Sequence, residues 1–259
     1  MIRLIASDID GTLLPYGAKE IPQEIFSHIR RLKGAGILFC PASGRQYTSL
    51  RRLFAPVADE VPFLCENGAV VFGPGSPGPV LSKTAMDRPL AEALCRDILA
   101  LPEAEVLISG ANTSYLCPKV PGVEEKIRRS LGNHTLAVPS PAEVPEDIIK
   151  VSVFCPGTLE PAKAALFPRW ETIFHAAVAG IAWLDFTLAD KGSGLTALCQ
   201  ALEISLEDVM AFGDNYNDLP MLKLAGHPYL MESAAPALQA QVPHLCRNVA
   251  DILATLPSQ

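Results

Sequence analysis

No two cysteines of this 259-residue chain are spaced C-x-x-C, and the seven present, at 40, 65, 95, 117, 155, 199 and 246, are odd in number. A zinc ribbon, a dithiol redox pair and a complete disulfide framework are therefore not expected. Within runs such as ILFC and VSVFC the thiols read as small buried hydrophobes in a reducing compartment. Histidine is scarce too: His28, His134, His175, His227 and His244 stand far apart, show no ligand spacing, and read as structural. Positive charge is outnumbered, with 21 Lys and Arg against 28 Asp and Glu, a formal charge of -7. Such a chain has no general field to attract a polyphosphate backbone, so nucleic acid is not an expected partner. Long apolar runs are missing as well. MIRLIAS meets acidic residues after a few positions, which fits neither a secretory signal nor a membrane span, and a cytoplasmic protein is expected. Only 7% of residues are aromatic, and both tryptophans, Trp170 and Trp183, fall in the middle of the chain, where core packing competes with pocket lining.

What is present is ordinary globular material, 49% hydrophobic and 19% charged, with length enough for one large domain or two unequal ones. The run IRLIAS ends abruptly at Asp8, as a buried parallel strand does at the carboxyl edge of its sheet. Ile25, Ile29 and Leu32 then recur at helical spacing, Gly34 and Gly36 stop the helix, and ILFCPA follows as a second strand. SGRQYTSLRRLF reads as a turn opening a helix, and VPFLCENGAVVF as a further strand and turn. Between 73 and 80, GPGSPGPV holds three Gly and three Pro, a linker or hairpin composition. Beyond it the rhythm changes to helices alternating with short strands, VLISG, TSYLC, IIKVSVFC, TIFHAAV and IAWLDF, which predicts an inserted α+β unit. After about 187 the strand-and-helix rhythm returns through GLTALCQALEI, VMAF, NDLPMLKLAG and one last strand and helix. The expected fold is α/β: a doubly wound parallel-sheet core from 1–74 and 187–259, with 75–186 as an inserted α+β domain.

Candidate chemistry clusters at the strand ends. In DIDGTLL, Asp8 and Asp10 are two residues apart after a buried strand, before a glycine that allows a tight turn. Alone this pattern is also a common turn. A calcium loop is disfavoured, since Gly stands fourth rather than sixth and Lys19 occupies the twelfth position, where that loop needs Glu. GDNYND at 213–218 again follows an apolar strand. Carboxylates gathered at one sheet edge repel unless some are protonated or a cation joins them, and a hard divalent ion is the simplest remedy. Ser43-Gly44 and Lys191 each open a predicted helix, where a hydroxyl, free N–H groups and an ammonium suit an anion. Either alone is as readily an ordinary turn or a solvated lysine.

Taken in chain order, DIDGTLL, PASGR, ENGA, the lysine of ADKGSG and GDNYND resemble the motif set of the haloacid dehalogenase superfamily of phosphatases. ENGA and the position of the insert are similar to the Cof-type group with a type C2B cap. That resemblance implies Asp8 as nucleophile toward phosphorus and Asp10 as the acid that protonates the leaving alkoxide and then the base that activates water. It implies Mg²⁺ held by Asp8, the Asp10 backbone carbonyl and Asp214. It also implies a phosphate contacted by the Ile9 backbone N–H, Ser43, Gly44, Lys191 and Asn217, with Asp218 supporting the metal waters or orienting Lys191. PASGR has Ser where the family often has Thr, which keeps the hydroxyl. LCRNVADIL departs from the family pattern near the C-terminus, leaving Asn248 as a neighbour of the site by position alone.

The expected activity is Mg²⁺-dependent hydrolysis of a small phosphomonoester, a sugar phosphate by default. A phosphomutase passing the same aspartyl phosphate to another hydroxyl is the nearest alternative, and a non-catalytic sensor of phosphorylated metabolites the next. Arg30-Arg31 and Arg51-Arg52 read as surface charge. Arg45, directly after the phosphate turn, suits orienting an acid as well as touching substrate.

Overall fold

All four residues of β1 (Leu4–Ser7) are buried, as a central strand covered on both faces requires. The computed structural model describes residues 1–15, 17–179 and 182–257. Helix α1 (Gln23–Gly34) follows, burying Ile25, Phe26, Ile29 and Leu32 on one stripe. Four such side chains contribute roughly 6–12 kcal/mol of transfer free energy before chain entropy is set against it. Next come β2 (Leu38–Pro41), α2 (Tyr47–Leu53), β3 (Phe63–Cys65), β4 (Val70–Phe72) and β5 (Val80–Lys83). The Gly- and Pro-rich stretch before β5 is a hairpin connection, closed by the Gly73 N–H donating to the Pro79 carbonyl at 2.8 Å.

The middle of the chain carries α3 (Arg88–Leu99), β6 (Glu105–Ser109), β7 (Ser114–Leu116), α4 (Val123–Leu131), β8 (Thr135–Ala137), β9 (Lys150–Phe154), α5 (Glu160–Trp170), β10 (His175–Ala179) and β11 (Trp183–Thr187). Beyond it lie α6 (Lys191–Leu202), β12 (Val209–Gly213), α7 (Leu219–Leu224), β13 (His227–Met231), α8 (Pro236–Gln239), β14 (His244–Cys246) and α9 (Val249–Thr255). The chain divides into two units: Met1–Ser43, Leu50–Ser82 and Asp190–Gln259 form one, and Gly44–Ser49 with Lys83–Ala189 the other. No composition signal in the sequence sets Gly44–Ser49 apart from its neighbours.

In the first unit a five-stranded parallel sheet runs β14-β13-β12-β1-β2. Leu4 and Ala6 of β1 pack with Leu195, Leu198 and Met221 from α6 and α7. Phe39 of β2 reaches an aromatic group with Phe54, which also meets Phe26 of α1 and Phe63. Helices on both faces make the sheet doubly wound. Where one final strand and helix are expected, there are two of each. The three-residue β14 and four-residue α8 are too short to carry a period of their own.

The second unit is α+β: a six-stranded sheet ordered β10-β11-β9-β6-β7-β8, antiparallel except for the β7–β8 pair. Val106, Ile108, Val151, Val153, Leu184 and Phe186 face α3 and α5. Leu107 and Leu116, on the opposite face, pack with Val123 and Ile127 of α4. Trp170 is fully buried, stacks on Phe174 and donates Nε1–H to Asp97 at 2.9 Å, so it belongs to this core. Trp183 is half-buried against Phe154. A buried ion pair joins Lys150 to Asp185 at 3.1 Å, and Ser152 donates to the same carboxylate at 2.7 Å.

Candidate active site

Parallel pairing places the ends of two strands side by side: Ser7 is the register partner of Phe212, and the Asp8 N–H extends the ladder to the Phe212 carbonyl at 2.9 Å. Asp8 and Asp214 thus leave the same sheet edge, where backbone pairing ends and side chains become available to a ligand. After Asp8 the chain turns sharply. The Ile9 carbonyl accepts from both the Thr12 and Leu14 N–H groups, and Gly11 takes φ 98°, a conformation natural to glycine. Ile9 itself is fully buried, and Asp10 is half-buried within this turn. Thr12, which carries no motif signal of its own, donates its hydroxyl to Asp214 Oδ1 at 3.2 Å and ties the two strand ends together.

Lys191 is the first residue of α6, a helix whose start is fixed by a reciprocal cap between Asp190 and Ser193. Its side chain is wholly buried, and Nζ donates to Asp8 Oδ1 at 2.5 Å and to Asp218 Oδ1 at 2.6 Å. The other Asp218 oxygen accepts from the Asp214 and Asn215 N–H groups, both at 2.9 Å. Gly213 is required here, because a Cβ on it would stand 2.4 Å from the Asp218 Cβ. The GDNYND turn is therefore closed on its own last aspartate.

Three carboxylates around one ammonium leave an excess of negative charge in a buried place. Burial first, then Asp218, push the Asp8 carboxyl up to about 8 against the pull of Lys191, with Asp214 adding a smaller push. Burial alone would lower the Lys191 ammonium, but Asp218 and Asp8 hold it above its ordinary value. A cation would relieve the conflict. Ligand oxygens of Asp8, Asp214 and Asp218 lie within 4.8 Å of one another, and Asp8 Oδ2 is buried with no hydrogen-bond partner among the described residues. Such a donor set, all oxygen and mostly anionic, fits a hard divalent ion. Both oxygens of Asp218 already accept strong hydrogen bonds, so it serves better as a support for Lys191 and the Asp214 turn than as a ligand.

Ser43 is buried just past β2, its N–H donating to the Leu64 carbonyl at 2.9 Å and its carbonyl accepting from the Asn67 N–H at 3.0 Å. Gly44 groups with the second unit, where its carbonyl accepts from Lys150 Nζ at 2.9 Å. Asn217 is half-buried in the turn between Asp214 and Asp218. Asn248 caps α9, its Oδ1 accepting from the Ala250 N–H at 2.9 Å, which gives it a structural task. All seven cysteines are free and buried. Among the described residues the three aspartates are the only group of His, Cys, Asp and Glu so gathered, and no helix is long and apolar enough to cross a membrane.

Comparison with known proteins places the whole chain. The family profile of haloacid dehalogenase-like hydrolases matches residues 5–252. The 5-amino-6-(5-phospho-D-ribitylamino)uracil phosphatase of Escherichia coli is 30% identical over 245 residues, covering 92% of this chain and 88% of its own. An HMP-PP phosphatase of Escherichia fergusonii is 27% identical, covering 96% and 93%. A crystal structure from Eubacterium rectale superposes with a TM-score of 0.86 at 31% identity over 98% of each chain. With its motifs at the edge of a doubly wound sheet and a family match running nearly end to end, the chain belongs to the haloacid dehalogenase-like hydrolases.

Proposed function

We propose that this phosphatase hydrolyses a small phosphomonoester, a sugar or polyol phosphate by first choice, through a phosphoryl group carried on Asp8. The observation that carries the reading is the state of that carboxylate. One oxygen is held by a buried lysine, and the other is buried without a hydrogen-bond partner among the described residues, at the end of a buried strand.

In the first half-reaction an Asp8 oxygen attacks phosphorus. The bond from phosphorus to the ester oxygen breaks, and the departing alkoxide takes the proton of the Asp10 carboxyl. In the second, Asp10 removes a proton from water, whose oxygen attacks phosphorus and breaks its bond to Asp8, releasing phosphate and restoring both carboxyls. Lys191 holds Asp8 in place and opposes the charge of the transferred group. Ser43, Asn217 and the Ile9 N–H would supply further donors to it. Asp8, Asp214 and the Asp10 backbone carbonyl would hold Mg²⁺. When bound, the ion supplies positive charge that lets the carboxylates and a phosphate dianion share one place. Asp218 keeps Lys191 and the Asp214 turn in position.

The ribityl phosphate in the name of the Escherichia coli relative favours a polyol ester, and the inserted segment 75–186 is the part of the chain to which we assign substrate choice. The test is phosphate release from p-nitrophenyl phosphate and a panel of phosphorylated metabolites, with Mg²⁺ or EDTA, beside Asp8→Asn. Release that needs Mg²⁺ and is abolished by Asp8→Asn is the expected result. Isomerised sugar phosphate without free phosphate would point instead to a mutase.

A further inference from the structure

The sequence Glu66-Asn67-Gly68 has no part in the chemistry above, yet its backbone is the most unusual in the first unit. All three residues have positive φ, 51°, 55° and 97° in order. Glycine adopts this region freely. Glutamate and asparagine do so at a cost, and such conformations persist where the surroundings over-determine them. Both side chains are buried, 1% and 5% exposed.

The cause of the strain is visible in the hydrogen bonds. The Leu64 carbonyl accepts from the Ser43 N–H, and three residues later the Asn67 N–H returns to the Ser43 carbonyl. A strand that ends at Cys65 can come back to the same residue so soon only by reversing inside Glu66 and Asn67. Gly68 then lies backbone to backbone against the start of α6. A Cβ there would be 2.1 Å from the Asp190 carbonyl oxygen, and one on Gly194 would be 2.5 Å from the Gly68 Cα. One turn therefore touches Ser43 on one side and, on the other, the residues flanking Lys191.

The geometry points to Glu66, Asn67 and Gly68 as a positioning turn that fixes the distance between the Ser43 hydroxyl and the Lys191 ammonium, the two groups set to grip the transferred phosphoryl from different elements. The inference rests on the phosphatase mechanism proposed above. The buried side chains of Glu66 and Asn67 lock the reversal, and Gly68 permits the close approach. Glycine at 66 or 67 permits the same backbone path and removes the lock, so activity per folded molecule separates positioning from folding.

The test uses the full chain with Glu66→Gly and Asn67→Gly, read as kcat and KM on p-nitrophenyl phosphate with Mg²⁺, thermal midpoint, and inhibition by orthophosphate and orthovanadate. A positioning role predicts that kcat per folded molecule, measured well below the thermal midpoint, is lower by roughly ten- to a hundredfold, with little change in KM. Affinity for orthovanadate, which resembles the five-coordinate transition state, should fall more than affinity for orthophosphate. Gly68→Ala, which must displace the start of α6, should lose both. Wild-type kcat in both glycine variants would overturn the inference, and so would activity lost only in step with folded protein. A wild type inert on every phosphoester would instead defeat the mechanism itself, and the inference with it.

Discussion

Lys191 Nζ stands 2.5 Å from Asp8 Oδ1 although the two residues are 183 positions apart, and its second bond, 2.6 Å to Asp218, is equally buried. The lysine thus joins a residue at the end of β1 to one just beyond β12, and both carboxylates share its charge. Removing it leaves buried charge without compensation. Lys191→Met should lose turnover and about 3–5 kcal/mol of stability, read by denaturant unfolding in EDTA. Magnesium should return part of the stability and none of the activity.

Asp8→Asn should behave in the opposite way toward stability. It removes the nucleophile but also a carboxylate whose burial opposes its charge, so phosphate release should fall by at least about a thousandfold while the thermal midpoint in EDTA stays level or rises. Circular dichroism melting beside the activity assay reads both.

The elevated Asp8 carboxyl has a pH consequence in EDTA. Its folded value, about 8, lies above the ordinary 3.8, so between those values the folded state holds a proton that the unfolded chain gives up. Stability from this group is complete below about pH 3.8 and is lost as pH rises toward about 8. The thermal midpoint of the EDTA-treated protein should carry a falling contribution across that window, one that Asp8→Asn removes. Magnesium affinity, which competes with the same proton, should strengthen from pH 6 to 8.

Gly213→Ala tests the closed GDNYND turn. The added methyl would meet the Asp218 Cβ at 2.4 Å, so Asp218 must give way, with it the two N–H bonds it accepts and its hold on Lys191. A loss of roughly 1–3 kcal/mol in stability is expected, together with weaker Mg²⁺ binding by calorimetry.

The doubly wound core and the inserted α+β unit were legible because their signals are local. Apolar runs stop at Asp8 and Asp214, and α1 shows its buried stripe in Ile25, Ile29 and Leu32. The short elements were not legible: β8 and β14 span three residues each, and their pairing comes from neighbours distant in sequence. At the site, the motifs named Asp8, Lys191, Asp214 and Asp218, which the structure brings together. They gave no sign of the Thr12 bond to Asp214, because a hydroxyl after a glycine is equally a turn residue. Nor does ENGA announce three consecutive positive φ values. Only its one glycine hints at them, and the strain at Glu66 and Asn67 arises from the return bond to Ser43.

The most direct measurement of the central claim is acid quenching of the enzyme during turnover with Mg²⁺, followed by borohydride reduction and mass spectrometry of the peptide containing residue 8. A phosphoryl group on Asp8 is expected, seen after reduction as homoserine at that position and missing when substrate is withheld. Phosphate release at full rate with Asp8 unmodified, and with Asp8→Asn still active, would contradict it.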